Sequence, residues 1–448
     1  MAYIATLFAQ ARGHFQAGRL ERVGEVCQQI LAIDPGHAES LHLMGSAALQ
    51  IGRFELAADL VGAAIAIDPG IATYHSSLGN ALLGLDRLEE AALCHRRAIA
   101  LRPDLAEAHN NLGTVLSRQR RLAEAADCFR AALARGVARP GIVRYNLAVV
   151  LLAQGDLAGG LAEYEWRRHT PHGAQAWRDL PQPRWRGEPA CGARLLVYAE
   201  QGLGDTLNFC RYAEMAAARG LRVILEVQEP LVRLLRRLPW VEQVVAPDDP
   251  VPPFDLQCPM LSLMLAFPPV IPPARLAWLS ADPASVARWR VRLGRRKGPR
   301  VGLVWAGNPR TLADARRSLP PDRLRPLLDV PGVRFFSLQK DGPAGLELED
   351  HMAGMRDFAD TAALVANLDL VIAVDTAVAH LAAGLGRPVW LLDRFDSCWR
   401  WFVGRRDSPW YPSLRIYRQP AAGDWDSVLA EVREDLARWV APSARPRA

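Results

Sequence analysis

The chain has 448 residues, 50% of them hydrophobic and 23% charged, so it holds two or three domains with cores of their own and is neither disordered nor fibrous. A formal net charge of +6 invites a nucleic-acid partner, but all of the 54 basic residues except Lys297 and Lys340 are arginines scattered through every region, which argues against that class. No apolar run is long enough to span a bilayer, the first dozen residues lack the basic start and apolar stretch of a signal peptide, and the seven cysteines stand at no metal-ligand or redox spacing, so a cytoplasmic protein with reduced thiols is expected.

At the N-terminus, Gly45, Gly79 and Gly113 are spaced by 34 residues, as are Pro35, Pro69 and Pro103, and Ala57, Ala91 and Ala125. Leu-Gly in a first helix, Ala in a second and Pro at its end resembles the tetratricopeptide repeat. Small residues let the paired helices approach closely, and proline stops the second one. A degenerate copy covers residues 3–36, and a last copy with one inserted residue runs from Tyr145 to Tyr164. The array, taken as residues 1–168, is expected to form an α-solenoid whose groove binds a peptide or a partner protein. His75, Asn80, His109, Asn110 and Asn111 lie on first helices and either line that groove or pack between repeats. Residues 169–193, with Pro171, Pro181, Pro183 and Pro189, read as an irregular connector.

From Arg194 strands alternate with helices, which predicts an α/β fold in two Rossmann-like units, 194–275 and 300–440, joined by a linker at 276–299. In the first unit, Leu195–Tyr198 is a strand, and the glycine-rich turn Gln201-Gly202-Leu203-Gly204-Asp205 opens a helix. A dinucleotide fingerprint needs a third glycine where Leu207 stands, and Asp205 would face the pyrophosphate. Asp205 is instead a candidate general base over a cleft, or else a helix cap. Pro268 to Pro273 marks a break, and Arg292, Arg295, Arg296, Lys297 and Arg300 form the one basic cluster, expected as solvated linker.

The second unit starts with a strand at Val301–Trp305, followed by Ala306-Gly307-Asn308-Pro309 and a loop rich in arginine that includes Arg317. The strand Val333–Leu338 ends at Gln339-Lys340, which sets a lysine where its charge meets a phosphate. Asp375 and Thr376 follow the buried strand Leu370–Val374, with His380 one helical turn on. A helix N-terminus there suits a diphosphate; the plainer reading makes Thr376 an N-cap and His380 a packed histidine. Trp399-Arg400-Trp401 either stacks on a ligand or closes the domain interface. Asp424 and Asp426 cap the last helix, which is expected to cross back to the first unit. Only His351 and His380 follow Arg194, so no His-rich metal site is expected.

Gly204-Asp205, Asp360-Thr361 and Val374-Asp-Thr-Ala-Val-Ala-His380 resemble glycosyltransferase family 9, which includes the ADP-heptose heptosyltransferases. The likeness covers about residues 194–440 and implies a GT-B fold and inverting transfer without a metal or other cofactor. It implies that Asp205 deprotonates the acceptor hydroxyl. Asp375, Thr376 and His380 correspond to the donor-binding loop, and Arg317 falls where the family often has a lysine against the donor phosphates. Asn308, Gln339 and Lys340 complete the expected donor side, with a nucleotide-diphosphate sugar as donor. The first α/β unit, about 80 residues from Arg194 to Pro273, is short for an acceptor domain, and the repeats are expected to recruit a protein or glycan acceptor. The alternative is a non-catalytic scaffold whose transferase domain is degenerate.

Overall fold

The computed structural model of the chain describes residues 2–267, 271–311 and 314–441, so residues 268–270 of the expected proline-rich break lie outside it. Contacts divide the chain into two units, Met1–Trp166 and Arg167–Ala448.

The first unit is the helical solenoid of tetratricopeptide repeats. Its helices are α1 (Ala2–Gln16), α2 (Leu20–Ile33), α3 (Ala38–Gln50), α4 (Phe54–Ile67), α5 (Ala72–Gly84), α6 (Leu88–Leu101), α7 (Ala106–Arg118), α8 (Leu122–Ala134), α9 (Pro140–Gln154) and α10 (Leu157–Tyr164). The periodic glycines sit where the two helices of a repeat press together. A Cβ on Gly45 would lie 2.5 Å from Val61, on Gly79 2.6 Å from His95, and on Gly113 2.8 Å from Phe129. Val61, His95 and Phe129 thus occupy one structural position, and glycine opposite them is a steric requirement. The turns between repeats are fixed by Asp34 and Asp68, whose Oδ1 atoms accept from the amides of Gly36 and Gly70 at 3.1 Å.

The second unit is α/β. Its first half contains α11 (Pro171–Ala176), β1 (Arg194–Tyr198), α12 (Leu203–Phe209), α13 (Arg211–Ala218), β2 (Arg222–Glu226), α14 (Glu229–Leu235), β3 (Val241–Val245) and β4 (Leu256–Pro259). These strands form a four-stranded parallel sheet in the order β3-β2-β1-β4. The residues read as a connector pack onto this sheet. Gln257 on β4 donates to Pro183 O at 3.1 Å and accepts from the Trp185 amide at 2.9 Å, and Trp185 is buried.

The second half begins with α15 (Pro283–Arg292), which folds within the expected linker. It continues through β5 (Arg300–Val304), α16 (Asp314–Arg317), α17 (Arg325–Leu328), β6 (Arg334–Ser337), β7 (Glu349–Asp350), α18 (Phe358–Val365), β8 (Leu370–Val374), α19 (Ala377–Gly384), β9 (Val389–Asp393), β10 (Leu414–Arg418) and α20 (Trp425–Val440). All six strands are parallel, in the order β10-β9-β8-β5-β6-β7. The chain reverses direction across the sheet between β5 and β8, the switch point where doubly wound sheets bind ligands at their carboxyl ends. β5, β8 and β9 are buried along their whole length, as strands covered on both faces must be. The last helix does not cross back: Val428, Leu429, Val432 and Leu436 of α20 join Val301, Ile372 and Leu392 in the core of this half. Asp424 caps it, accepting from the Ser427 amide at 3.0 Å. Among the described residues no helix is long and apolar enough to cross a membrane.

Candidate functional site

β1 and β8 deliver the turns that meet. Gly202 opens α12 in extended backbone, and Gln228 clamps the turn by donating to Gln201 O at 2.7 Å and accepting from Thr206 Oγ1 at 2.9 Å. Gly204 then lies flat on the first turn of α19, where a Cβ would stand 2.6 Å from His380 Cδ2. Glycine is therefore required at this approach, and the carboxyl end of β1 opens beside that of β8.

Asp205 does not cap its helix. Its Oδ1 is ion-paired with Arg400 Nη2 from the turn after β9, and the two side chains are 14% and 12% exposed. Arg400 also donates to Cys398 Sγ at 2.7 Å and lies 4.9 Å from the ring of Trp399. Arg400 is the partner that sequence reasoning left undecided, although it stood beside the two tryptophans already singled out. Trp399 closes the interface, stacking on Phe209 of α12 at 6.0 Å, while Trp401 stacks on His380 within the second half at 5.2 Å.

His380 is the packed histidine of the plainer reading. It is buried, its Nδ1 lies 2.6 Å from Tyr411 Oη, and Nε2 faces Asp375 Oδ1 at 3.6 Å. Thr376 stands at the N-cap of α19, yet its side chain makes no capping hydrogen bond, contrary to expectation. Its Oγ1 is buried without a hydrogen-bond partner among the described residues, which fits a donor or acceptor group supplied by a ligand. Burial works to raise the Asp375 carboxyl, but the His380 ring and the charges of Arg317 and Arg394 outweigh it and hold its pKa below the ordinary range.

Arg317 reaches the same point from α16, donating to Asp375 O at 2.9 Å and to Asp314 Oδ1 at 2.9 Å. Gly307 makes room for it, since a Cβ there would collide with the guanidinium. Gln339 serves the loop instead of a ligand: it is buried, and its Oε1 accepts from the Trp305 and Ala306 amides at 3.3 and 3.1 Å. Asn308 is exposed and turns back on the Arg310 amide at 3.1 Å. Lys340 is exposed and has no hydrogen-bond or ion-pair partner among the described residues. Contacts therefore link Gly204 to His380, His380 to Asp375 and Asp375 to Arg317, with Asp205 and Thr376 beside them in the chain, and leave Asn308 and Lys340 outside.

Two further features tie the halves of this unit together. Arg211 of α13 is buried, donates to Trp410 O at 2.8 Å, and lies 4.3 Å from the centre of the Trp278 ring. Arg233 of α14 pairs with Asp357 at 2.6 Å and with Asp360 at the start of α18. At the end of β1, Arg167 and Glu200 form an ion pair at 2.7 Å with both side chains 1% exposed, and the Met260 and Leu261 amides donate to the same carboxylate. In the first unit, His75 and His109 lie 2.9 and 3.0 Å from the carbonyl oxygens of Pro69 and Pro103, the prolines that end the preceding repeats.

Comparison with known proteins adds the following. The tetratricopeptide repeat model matches residues 42–106, 77–141 and 110–174, and the glycosyltransferase family 9 (heptosyltransferase) model matches residues 344–392. Protein FlbA of Caulobacter vibrioides is 29% identical over 347 residues, a match covering 67% of this chain and 56% of FlbA. The chain thus spans little more than half the length of that relative. Among solved structures, MamA is 19% identical over 35% of this chain and 91% of its own, with a TM-score of 0.31. PilF of Pseudomonas aeruginosa is 21% identical over 40% of this chain and 78% of its own, at 0.35. A thermophilic tetratricopeptide protein of Thermus thermophilus is 21% identical over 38% of this chain and 94% of its own, at 0.34.

Proposed function

From a chain that carries tetratricopeptide repeats and a C-terminal glycosyltransferase family 9 segment, we propose an inverting, metal-independent glycosyltransferase of GT-B type. It moves a sugar from a nucleotide-diphosphate donor to a protein or glycan acceptor that the repeats recruit. The observation that carries this reading is the meeting of the Gly204-Asp205 turn, through Gly204, with His380 of the Asp375–His380 turn at the carboxyl ends of two parallel sheets. The donor diphosphate lies against the N-terminus of α19, with the Thr376 hydroxyl and the Arg317 charge beside it. Arg400 engages Asp205 Oδ1, which leaves Oδ2 to take the proton of the acceptor hydroxyl. The acceptor oxygen then bonds to the anomeric carbon from the face opposite the diphosphate. The bond from carbon to diphosphate breaks, and the nucleoside diphosphate leaves with the electron pair.

A second reading rests on two observations: the Arg400 pair on Asp205 and the packed His380 suit a domain that binds a partner and has ceased to catalyse. Asp205→Asn separates the two. The cognate nucleotide sugar is the one whose nucleoside diphosphate binds in titrations with ADP, UDP, GDP and CDP. The enzyme reading expects wild type to release nucleoside diphosphate from that sugar nucleotide, and Asp205→Asn to bind it with similar affinity while losing at least about a hundredfold in release. Equal release by both proteins, or binding without any release, favours the scaffold.

A further inference from the structure

Of the basic cluster expected as solvated linker, Arg292, Arg295, Arg296 and Lys297 are exposed, but Arg300 is not. Arg300 is the first residue of β5 and is only 2% exposed. Its Nη2 donates to Gly294 O at 2.7 Å and to Leu293 O at 3.3 Å, so it closes the carboxyl end of α15. Its Nε is buried with no hydrogen-bond partner among the described residues. Around it opens a cavity of about 390 Å³ lined by Arg290, Arg296, Arg300 and Arg387, with Asn367 and Ala366.

Charge in this cavity is unbalanced. Asp369 is the carboxylate that answers the arginines, and it is already committed: Oδ1 accepts from Arg296 at 2.9 Å and Oδ2 from the Arg300 amide at 2.9 Å. Four guanidinium groups against one carboxylate leave a net charge of +3 (4 − 1). The next carboxylates outward are spent elsewhere, Glu349 on Arg334 at 2.7 Å and Asp282 on the Ser285 amide at 2.8 Å. Arg387 is half-buried, and Arg290 is exposed; neither side chain makes a hydrogen bond or a close ion pair among the described residues, though Asp369 acts on Arg387 through space. Burial pushes both guanidinium pKa values below their ordinary position; Asp369 opposes the shift at each, while Arg334 and Arg296 add to it at Arg300 and Arg296 adds to it at Arg387. Asp369 is thus shared among more cations than it can balance.

The cavity continues into a second of about 380 Å³, which shares Arg290, Ala366 and Arg387 and is walled by Leu279, Pro283, Val286 and Leu385. One groove therefore runs from an arginine end to an apolar end. Arg300 opens β5, and Asp369 and Arg387 stand just before β8 and β9, so it lies at the amino ends of the strands, across the sheet from the Asp375–His380 turn.

We propose that this groove is a second binding site, specific for a phosphoryl group carried on an apolar stem. Planar guanidinium forks pair bidentately with phosphate oxygens, and the apolar end takes the stem. The ligand is a soluble phosphate ester or the headgroup of a lipid, and both offer this chemistry.

The test titrates the full chain with n-hexyl phosphate by calorimetry, comparing wild type with Arg387→Gln, Arg290→Gln and Arg317→Gln. Hexyl phosphate binds wild type, inorganic phosphate binds more weakly, and both Arg387→Gln and Arg290→Gln lose at least about tenfold in affinity. Arg317→Gln, on the opposite edge of the sheet, leaves this binding unchanged. Arg387 makes no direct hydrogen bond or close ion pair, so its variant keeps the melting temperature of wild type within a few degrees in phosphate-free buffer. Unaltered affinity in Arg387→Gln overturns the proposal, and so does loss confined to Arg317→Gln, which would assign the binding to the donor side. Co-sedimentation with phosphatidylcholine vesicles containing phosphatidic acid, lost in Arg387→Gln, identifies the lipid source. Hexyl phosphate binding without co-sedimentation identifies the soluble one.

Discussion

Asp205 and Arg400 hold the two halves of the α/β unit together, and their removal has a measurable cost. Each side chain is less than one-seventh exposed, so the pair lies between a surface ion pair, worth up to about 1 kcal/mol, and a buried one, whose disruption from one side costs about 3–5 kcal/mol. Arg400 keeps Cys398 Sγ and the Trp399 face when Asp205 is neutralised, which places Asp205→Asn near the lower end, about 3 kcal/mol. Arg400→Gln leaves Asp205 unanswered at an interface and costs about the same. The double variant recovers part of the loss, with a coupling energy of about 2 kcal/mol. Trp166 is the only one of the 13 tryptophans before residue 167, so urea unfolding followed by tryptophan fluorescence reads this unit. Additive single effects, agreeing within about 0.5 kcal/mol, would refute the coupling across the interface.

Acid weakens the repeats. His95 is fully buried with both ring nitrogens unpartnered among the described residues, and burial lowers its pKa to about 4. Its folded pKa lies below the unfolded value of about 6.5, so the stability it permits is complete above that pH and falls by about 3 kcal/mol as pH drops toward 4. His95→Phe, which copies Phe129 of the next repeat, removes its share of that slope in unfolding followed by circular dichroism, and His42, also lowered to about 4, keeps its own. Asp360 behaves as a carboxylate: burial opposes its charge, but hydrogen bonds from Arg356 and Arg233 hold its pKa at about 2. Its contribution of about 2 kcal/mol is present above pH ~4 and disappears as pH falls toward 2, and Asp360→Asn removes that dependence from the tryptophan-monitored curve. Gly113→Ala drives a methyl to 2.8 Å from Phe129 and destabilises the repeats by about 1–3 kcal/mol, whereas Gly24→Ala, with nothing within 4 Å, stabilises α2 by up to about 1 kcal/mol. Thermal denaturation of the two variants side by side checks the contrast.

The elements read most directly from sequence are those whose cause is local. Gly45, Gly79 and Gly113 recur because each repeat repeats one close approach, and Leu370–Val374 is apolar throughout because both of its faces are covered. β10 gave no such signal, since arginines interrupt Leu414-Arg415-Ile416-Tyr417-Arg418 at the sheet edge, and β7 is only two residues long. The Asp205, Asp375, Thr376 and His380 positions follow from the glycine-rich turn and the strand–helix junction, both local patterns. What they touch does not. Arg400 lies 195 residues from Asp205 (400 − 205), and Arg211 is 199 from Trp410, so these contacts depend on how the two sheets pack. Arg300 was misread for the same reason: in the chain it belongs to a run of basic residues, and only the return of Gly294 O beside it explains its burial.

Nucleoside diphosphate binding tests the central claim most directly. Calorimetric titration of ADP, UDP, GDP and CDP into wild type and Thr376→Val probes the orphaned Oγ1 without changing side-chain shape. The account predicts that one nucleotide binds and that Thr376→Val weakens it by at least about tenfold, the worth of one hydrogen bond to a charged group. Binding of none of the four, or identical affinity in wild type and Thr376→Val, would contradict a donor site at the start of α19.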